Sequence, residues 1–236
     1  MSREFPYLDE DTYFQFPSIA NVSPEGIVGA GGNLSPGMLL SAYRQGIFPW
    51  YSDDEPVLWW SPDPRFVLFP RELHVSKSMR RIMHGDEFSV TFDTAFGDVI
   101  AGCRKAPRPG QNGTWITDEV VEGYTKLHGL GYAHSVEVWS ESELAGGLYG
   151  VSLGSIFFGE SMFSRQPNSS KYALVSLTEM LVANGCKLID CQVFTPHLSR
   201  FGARDMARRE FLELLEEYLR DKTMRGSWKE LAPSRC

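Results

Sequence analysis

The sequence predicts an α+β protein, in which a small N-terminal domain precedes a larger domain built on a mostly antiparallel sheet. Helix and strand patterns are mixed along the chain. Three strand patterns between residues 134 and 158 follow one another without an intervening helix, which favours antiparallel pairing. A proline-rich segment, Trp60-Ser61-Pro62-Asp63-Pro64, separates the two parts, because each proline pushes its predecessor out of helical conformation. The division falls at residues 1–63 and 64–236.

The first part is punctuated by Pro17, Pro24, Gly26, Gly29, Gly31, Gly32, Pro36 and Gly37, and holds one clear helix. Ser35 serves as its N-cap and Pro36 as its first residue, and Met38 to Gln45 runs to a stop at Gly46. In the second part, residues 76–83 read as a helix, Phe88 to Phe92 as a strand and Thr94 to Cys103 as a helix. A loop with Pro107, Pro109, Gly110 and Gly113 follows. Thr117 then caps a helix with Asp118 and Glu119 in its first turn, an apolar stripe of Val120, Val121, Tyr124 and Leu127, and Gly129 and Gly131 at its end. The meander takes in His134 to Trp139, Glu143 to Ser152 and Gly154 to Phe158. Beyond it lie an apolar helix from Ser170 to Asn184, a strand from Lys187 to Phe194 and an amphipathic helix from about Ala207 to Arg220.

With 236 residues, 42% hydrophobic and 22% charged, the chain can enclose a core, and its composition excludes a disordered or fibrous protein. No stretch approaches the roughly 18 apolar residues that span a bilayer, and the first residues lack a secretory pattern. Cys103, Cys186, Cys191 and Cys236 are too scattered for a disulfide framework. A cytoplasmic protein with no membrane partner is expected. A net charge of −7 argues against indiscriminate binding of polyanions, and no DNA partner is expected.

Four groups of residues carry chemistry. In Leu188-Ile189-Asp190-Cys191-Gln192-Val193, alternation sends Asp190 and Gln192 to one face and the apolar side chains with Cys191 to the other, so the polar pair either satisfies itself structurally or faces a reaction site. Glu160, read as following the aromatic strand at Phe157 and Phe158, is either a turn residue or a carboxylate in an aromatic cleft. Trp50, Trp59, Trp60 and Trp115 can stack on nucleobases or staple two small domains. Residues 71–84 hold Arg71, Lys77, Arg80 and Arg81 against Glu72, a local charge of +3. Lys77, Arg80, Arg81 and His84 share one helical face, suited to phosphates or simply to solvent. No dinucleotide fingerprint, Walker loop or zinc helix occurs, and Cys186, Cys191 and His197 match no standard zinc spacing.

Six ordered blocks are more specific than any of these. Gly46-Ile47-Phe48-Pro49-Trp50, Leu58-Trp59-Trp60-Ser61-Pro62-Asp63-Pro64-Arg65, Gly113-Thr114-Trp115-Ile116-Thr117, His134-Ser135-Val136-Glu137-Val138-Trp139, Gly159-Glu160-Ser161-Met162-Phe163-Ser164 and Leu188-Ile189-Asp190-Cys191-Gln192 resemble the leucyl/phenylalanyl-tRNA-protein transferases over about residues 25–215. The resemblance implies an aminoacyltransferase that moves Leu or Phe from charged tRNA to proteins with N-terminal Arg or Lys and marks them for degradation. It implies a larger domain like the Gcn5-related N-acetyltransferases. The Gln/Arg-x-x-Gly-x-Gly/Ala pattern of coenzyme A users is missing, so no cofactor is expected. The resemblance also assigns Asp190, Gln192 and Glu160 to catalysis, with Asp190 orienting Gln192. Leu148, Phe157, Leu174 and Leu177 are the candidates for the aminoacyl side-chain pocket, Trp50 and Trp115 for the terminal adenosine, and Lys77, Arg80 and Arg81 for tRNA phosphates. A binding module for basic N-terminal residues and an N-acyltransferase using a small thioester are the alternatives.

Overall fold

The computed structural model describes residues 5–19, 22–23, 25–107 and 114–231. Pro109, Gly110, Gly113 and Cys236 lie outside the described residues. Strands β1 (Ile27–Ala30), β2 (Phe48–Pro49) and β3 (Leu58–Trp60) form an antiparallel sheet in the order β1-β3-β2. These strands have two to four residues each, too short for an alternating pattern to register in the sequence. Helix α1 (Pro36–Arg44) begins at the expected proline, but Ser35 does not bond back to the helix. Its Oγ accepts the Leu8 N–H at 3.1 Å and so fastens the N-terminal segment. Gly46 ends the helix region at φ +72°, where a Cβ would come within 2.6 Å of Leu212 Cδ2.

The second sheet contains β4 (Arg65–Leu68), β5 (Ser89–Phe92), β6 (Ala133–Ser140), β7 (Glu143–Leu153), β8 (Ile156–Ser164), β9 (Leu188–Gln192) and β10 (Arg204–Met206). Their spatial order is β10-β4-β9-β8-β7-β6-β5. Among the described residues only β8 and β9 pair in parallel, and the connection between them includes α5 (Ser169–Ala183), as a parallel crossover requires. The remaining helices are α2 (Lys77–Met83), α3 (Phe96–Lys105), α4 (Asp118–Gly129), the short α6 (Pro196–Ser199) and α7 (Arg208–Tyr218). Ser76 and Thr117 act as expected, accepting the Met79 and Val120 N–H groups at 3.2 Å each.

Alternation along the central strands divides the core. Phe66, Leu68, Phe157 and Ile189 pack with Leu174 and Leu177 of α5, whereas Val67, Phe158 and Leu188 pack with residues of α1, α3, α4 and α7. Trp59 belongs to the latter group, buried with its Nε1 donating to the Gly31 carbonyl at 2.8 Å and its ring edge-on to Phe16, so it packs into the core rather than lying free to stack on a base. The conspicuous block around His134 is structural too. Asp93 accepts from the Ser135 and Trp228 N–H groups and bonds His134 Nδ1, whose ring stacks on Trp228 at 3.7 Å, while Glu137 accepts from Thr94 N and Ala95 N at the start of α3.

Candidate active site

The sheet opens where its one parallel pairing stops. Ile156, Phe157 and Phe158 lie opposite Leu188, Ile189 and Asp190; beyond that point β8 continues to Ser164 while β9 ends at Gln192. A cavity of about 480 Å³ occupies the gap, walled by Leu148, Phe157, Leu174, Leu177 and Ile189, with Glu160 and Gln192 among its few polar groups. All four side chains expected at an aminoacyl pocket therefore line one cavity, with α5 and the sheet as opposite walls. Its size is that of a small-molecule site, which typically encloses roughly 300–1,000 Å³.

Glu160 is not the turn residue its position after two phenylalanines suggested. It lies within β8, in an irregularity of the β7–β8 ladder: Tyr149 pairs with Ser161 and Gly150 with Gly159, leaving Glu160 without an opposite residue. Such bulges re-aim side chains. Gly150 permits the close approach there, since a Cβ would meet the Phe158 carbonyl oxygen at 2.2 Å. The Glu160 carboxylate accepts hydrogen bonds from Tyr43 Oη at 2.7 Å, Tyr124 Oη at 2.9 Å and Gln192 Nε2 at 2.9 Å. The two phenol oxygens also lie in direct contact with each other. Burial pushes the Glu160 carboxyl up to about 7, against the lowering effect of its three donors and with a further raising effect from Asp190. Burial and the neighbouring carboxylate hold both phenols far above their ordinary range.

Asp190 and Gln192 have different surroundings. Asp190 is fully buried on the face away from Ile189 and does not wall the cavity. Its oxygens accept from Arg65 Nε at 2.8 Å and Nη2 at 2.6 Å, and Oδ1 also accepts the Gln192 backbone N–H at 2.9 Å. The third Arg65 donor, Nη1, bonds the Gly46 carbonyl at 3.1 Å, and the guanidinium lies between the Phe48 and Phe211 rings. Asp190 thus holds the backbone of Gln192, which turns at φ +62° and extends its amide to Glu160. Cys191 faces the cavity as a thiol that burial raises strongly, which suits a wall rather than a nucleophile.

Trp50 and Trp115 line a second cleft, of about 620 Å³, together with Trp60, Tyr51 and the acidic Asp53, Asp54 and Glu55. Trp60 Nε1 donates to the Trp50 carbonyl at 2.6 Å, which holds these two rings 5.7 Å apart. Pro107 borders the first cavity and Thr114 the second. Lys77, Arg80 and Arg81 are exposed on α2. Beside them lies a cleft to which Lys171 and Arg200 add positive charge; His197, whose pKa burial and these two cations hold below its ordinary value, borders both this cleft and the first cavity. Among the described residues, no three His, Cys, Asp or Glu side chains converge as metal ligands. None of their helices is long and apolar enough to cross a membrane.

Sequence reasoning missed Arg65, Tyr43 and Tyr124. Arg65 stood inside a quoted block, and an arginine in an apolar stretch demands a buried partner; the tyrosines, each on the apolar stripe of a helix, gave no signal beyond core packing.

An apolar pocket bordered by a carboxyl and an amide has the size and lining to take an acyl group, as an acyl-transferring enzyme needs. The comparisons specify which kind. Residues 67–216 match the family model of leucyl/phenylalanyl-tRNA protein transferase, and residues 32–63 match the model of that family's N-terminal domain. The leucyl/phenylalanyl-tRNA–protein transferase of Myxococcus xanthus is 54% identical over 215 residues, covering 91% of this chain and 92% of the relative. That of Syntrophus aciditrophicus is 55% identical over 213 residues, covering 90% and 89%. The chain belongs to the leucyl/phenylalanyl-tRNA protein transferase family. Among solved structures, a GCN5-related N-acetyltransferase from Kribbella flavida aligns at 9% identity with a TM-score of 0.37, over 73% of this chain and 62% of that one.

Proposed function

We propose that this protein transfers leucine or phenylalanine from aminoacyl-tRNA to the α-amino group of proteins that begin with arginine or lysine, in the cytoplasm, marking them for degradation. The observation that carries this reading is the cavity in which Leu148, Phe157, Leu174 and Leu177 meet Glu160 and Gln192. An apolar amino-acid side chain fits among the first four, leaving its ester beside the polar pair. An aminoacyl ester is already activated, and an α-amine with a pKa of roughly 7.7–8.0 is partly neutral near pH 7.5, so holding the two in register supplies much of the acceleration.

In this reading Gln192 brings the amine to the carbonyl, Glu160 serves the same centre, and Asp190 positions Gln192 through its backbone. Trp50 and Trp115 stack on the terminal adenosine, and Lys77, Arg80 and Arg81 meet tRNA phosphates. The division at residue 63 fits a small domain carrying Trp50 and a larger one carrying the pocket. Incubation with radiolabelled Leu-tRNA, Phe-tRNA or acetyl-CoA and an Arg-initiated peptide tests the proposal. Transfer from the two tRNAs alone is expected. Transfer from acetyl-CoA supports the small-thioester alternative, and peptide binding without any transfer supports a recognition module.

A further inference from the structure

The cluster around Glu160 has a proton inventory that its heavy atoms determine. Three oxygen–oxygen contacts close a triangle: Tyr43 Oη to Glu160 Oε1, Tyr124 Oη to Glu160 Oε2, and Tyr43 Oη to Tyr124 Oη. Each hydrogen bond needs one proton, and a phenol carries one. With an ionised carboxylate, two phenol protons serve three contacts, and one pair of oxygens faces lone pair to lone pair. A proton on the carboxyl completes the ring in a single direction, from Glu160 Oε2 to Tyr124, from Tyr124 to Tyr43, and from Tyr43 to Glu160 Oε1. Oε1 then accepts from both Tyr43 and Gln192 Nε2, as a carbonyl oxygen can.

We infer that Glu160 exchanges a proton near neutral pH, that its protonated form closes into a ring with Tyr43 and Tyr124, and that this ring is the proton store of the transfer reaction. The inference deepens the proposed function and rests on it for its second half. As the amine nitrogen bonds to the ester carbonyl carbon, it must lose a proton. As the bond from that carbon to the ribose oxygen breaks, the oxygen must gain one. Glu160 gives its proton to the departing oxygen and recovers one from the nitrogen, so the products are an amide and a ribose hydroxyl and the acid is regenerated. A concerted shift around the ring moves the acid proton between Oε2 and Oε1, the oxygen that faces Gln192.

The surrounding charges allow a neutral Glu160. Asp190, the nearest other carboxylate, is held by Arg65 from β4 and disfavours a second negative charge. From α1, α4 and β7 the facing groups are Tyr43, Tyr124 and Tyr149, whose phenols are acids themselves. A neutral Glu160 adds no charge to this buried group.

The test reads the proton first and the reaction second. Carbon-13 NMR of protein labelled at the glutamate side-chain carboxyl should show one resonance, missing in Glu160→Gln, that titrates near 7. Titration of that resonance with the ordinary glutamates overturns the inference. Glu160→Gln preserves the ring, since its amide N–H donates to Tyr124 and its carbonyl accepts from Tyr43. It should match the wild-type melting temperature below about pH 4.5 and keep tRNA affinity, while single-turnover transfer falls about 10²-fold or more, the loss typical of removing a proton-transfer group. Wild-type transfer by a folded Glu160→Gln also overturns it. If the wild type transfers nothing from either tRNA, the proposed function fails, and the NMR titration still decides the state of Glu160.

Discussion

Replacing Arg65 with methionine separates two roles for Asp190. Arg65 supplies three of the hydrogen bonds around it, two to Asp190 and one to the Gly46 carbonyl, from a fully buried position. Methionine keeps much of the stem volume between the Phe48 and Phe211 rings but leaves a carboxylate in the core with only the Gln192 N–H. Breaking a buried pair from one side costs about 3–5 kcal/mol. The orphaned Gly46 carbonyl adds about 1 kcal/mol. Taking about 5 kcal/mol in total, with a slope of about 2.5 kcal/mol per molar urea, the unfolding midpoint should fall by about 2 M. Adding Asp190→Asn removes the stranded charge and keeps an oxygen for the Gln192 N–H. The double variant should therefore recover most of the lost stability, because removing both partners of a buried pair is close to neutral. If Asp190 only positions Gln192, the double variant should also transfer leucine within about tenfold of wild type, measured by single turnover on the folded protein, well short of the roughly 10²–10⁴-fold loss of a proton-transfer group. An unchanged midpoint for Arg65→Met would refute the buried pair as a determinant of stability. A folded but inactive double variant would refute the positioning role and make Asp190 the group that takes the amine proton.

Gln192→Ala should lower kcat by about 10²-fold, as loss of one oriented hydrogen-bond donor does, with tRNA affinity unchanged in a filter-binding assay. Arg80→Glu with Arg81→Glu should weaken aminoacyl-tRNA binding and flatten its salt dependence. For three phosphate contacts the wild-type slope of log affinity against log salt is about −2.7 on the duplex scale. Transfer from a minimal aminoacyl-adenosine, which has no stem phosphates, should be retained, and equal damage to both donors would assign α2 to the fold. Stability against pH provides a further check on Glu160, whose folded-state pKa is raised from 4.5 to about 7. The folded protein holds this proton more tightly than the unfolded chain, so the contribution is complete below pH 4.5 and is lost as pH rises through about 7. The difference in unfolding free energy between wild type and Glu160→Gln should fall by about 3 kcal/mol across that window. Parallel stability curves would contradict the assignment.

The sequence by itself determined the helices α1, α2, α4 and α5, because their caps, terminal glycines and apolar stripes are local signals. It also determined the antiparallel meander, and its ordered blocks carried the family resemblance. Tertiary structure decided the rest. The strands of two to four residues exist only because folding brings partner strands alongside them. Whether Glu160 was a turn residue or a cleft carboxylate stayed open in the sequence, because a bulge is a mismatch between two strands and leaves no trace in one of them. Tyr43, Tyr124 and Glu160 are separated by 81 and 36 positions in the chain, and their oxygens meet only when α1 and α4 pack on the same face of the sheet. Arg65 and Asp190 are 125 positions apart and look like two isolated charges until β4 and β9 lie side by side. Local propensity acts over a few residues; a shared proton and a buried ion pair depend on distances that only the folded chain sets.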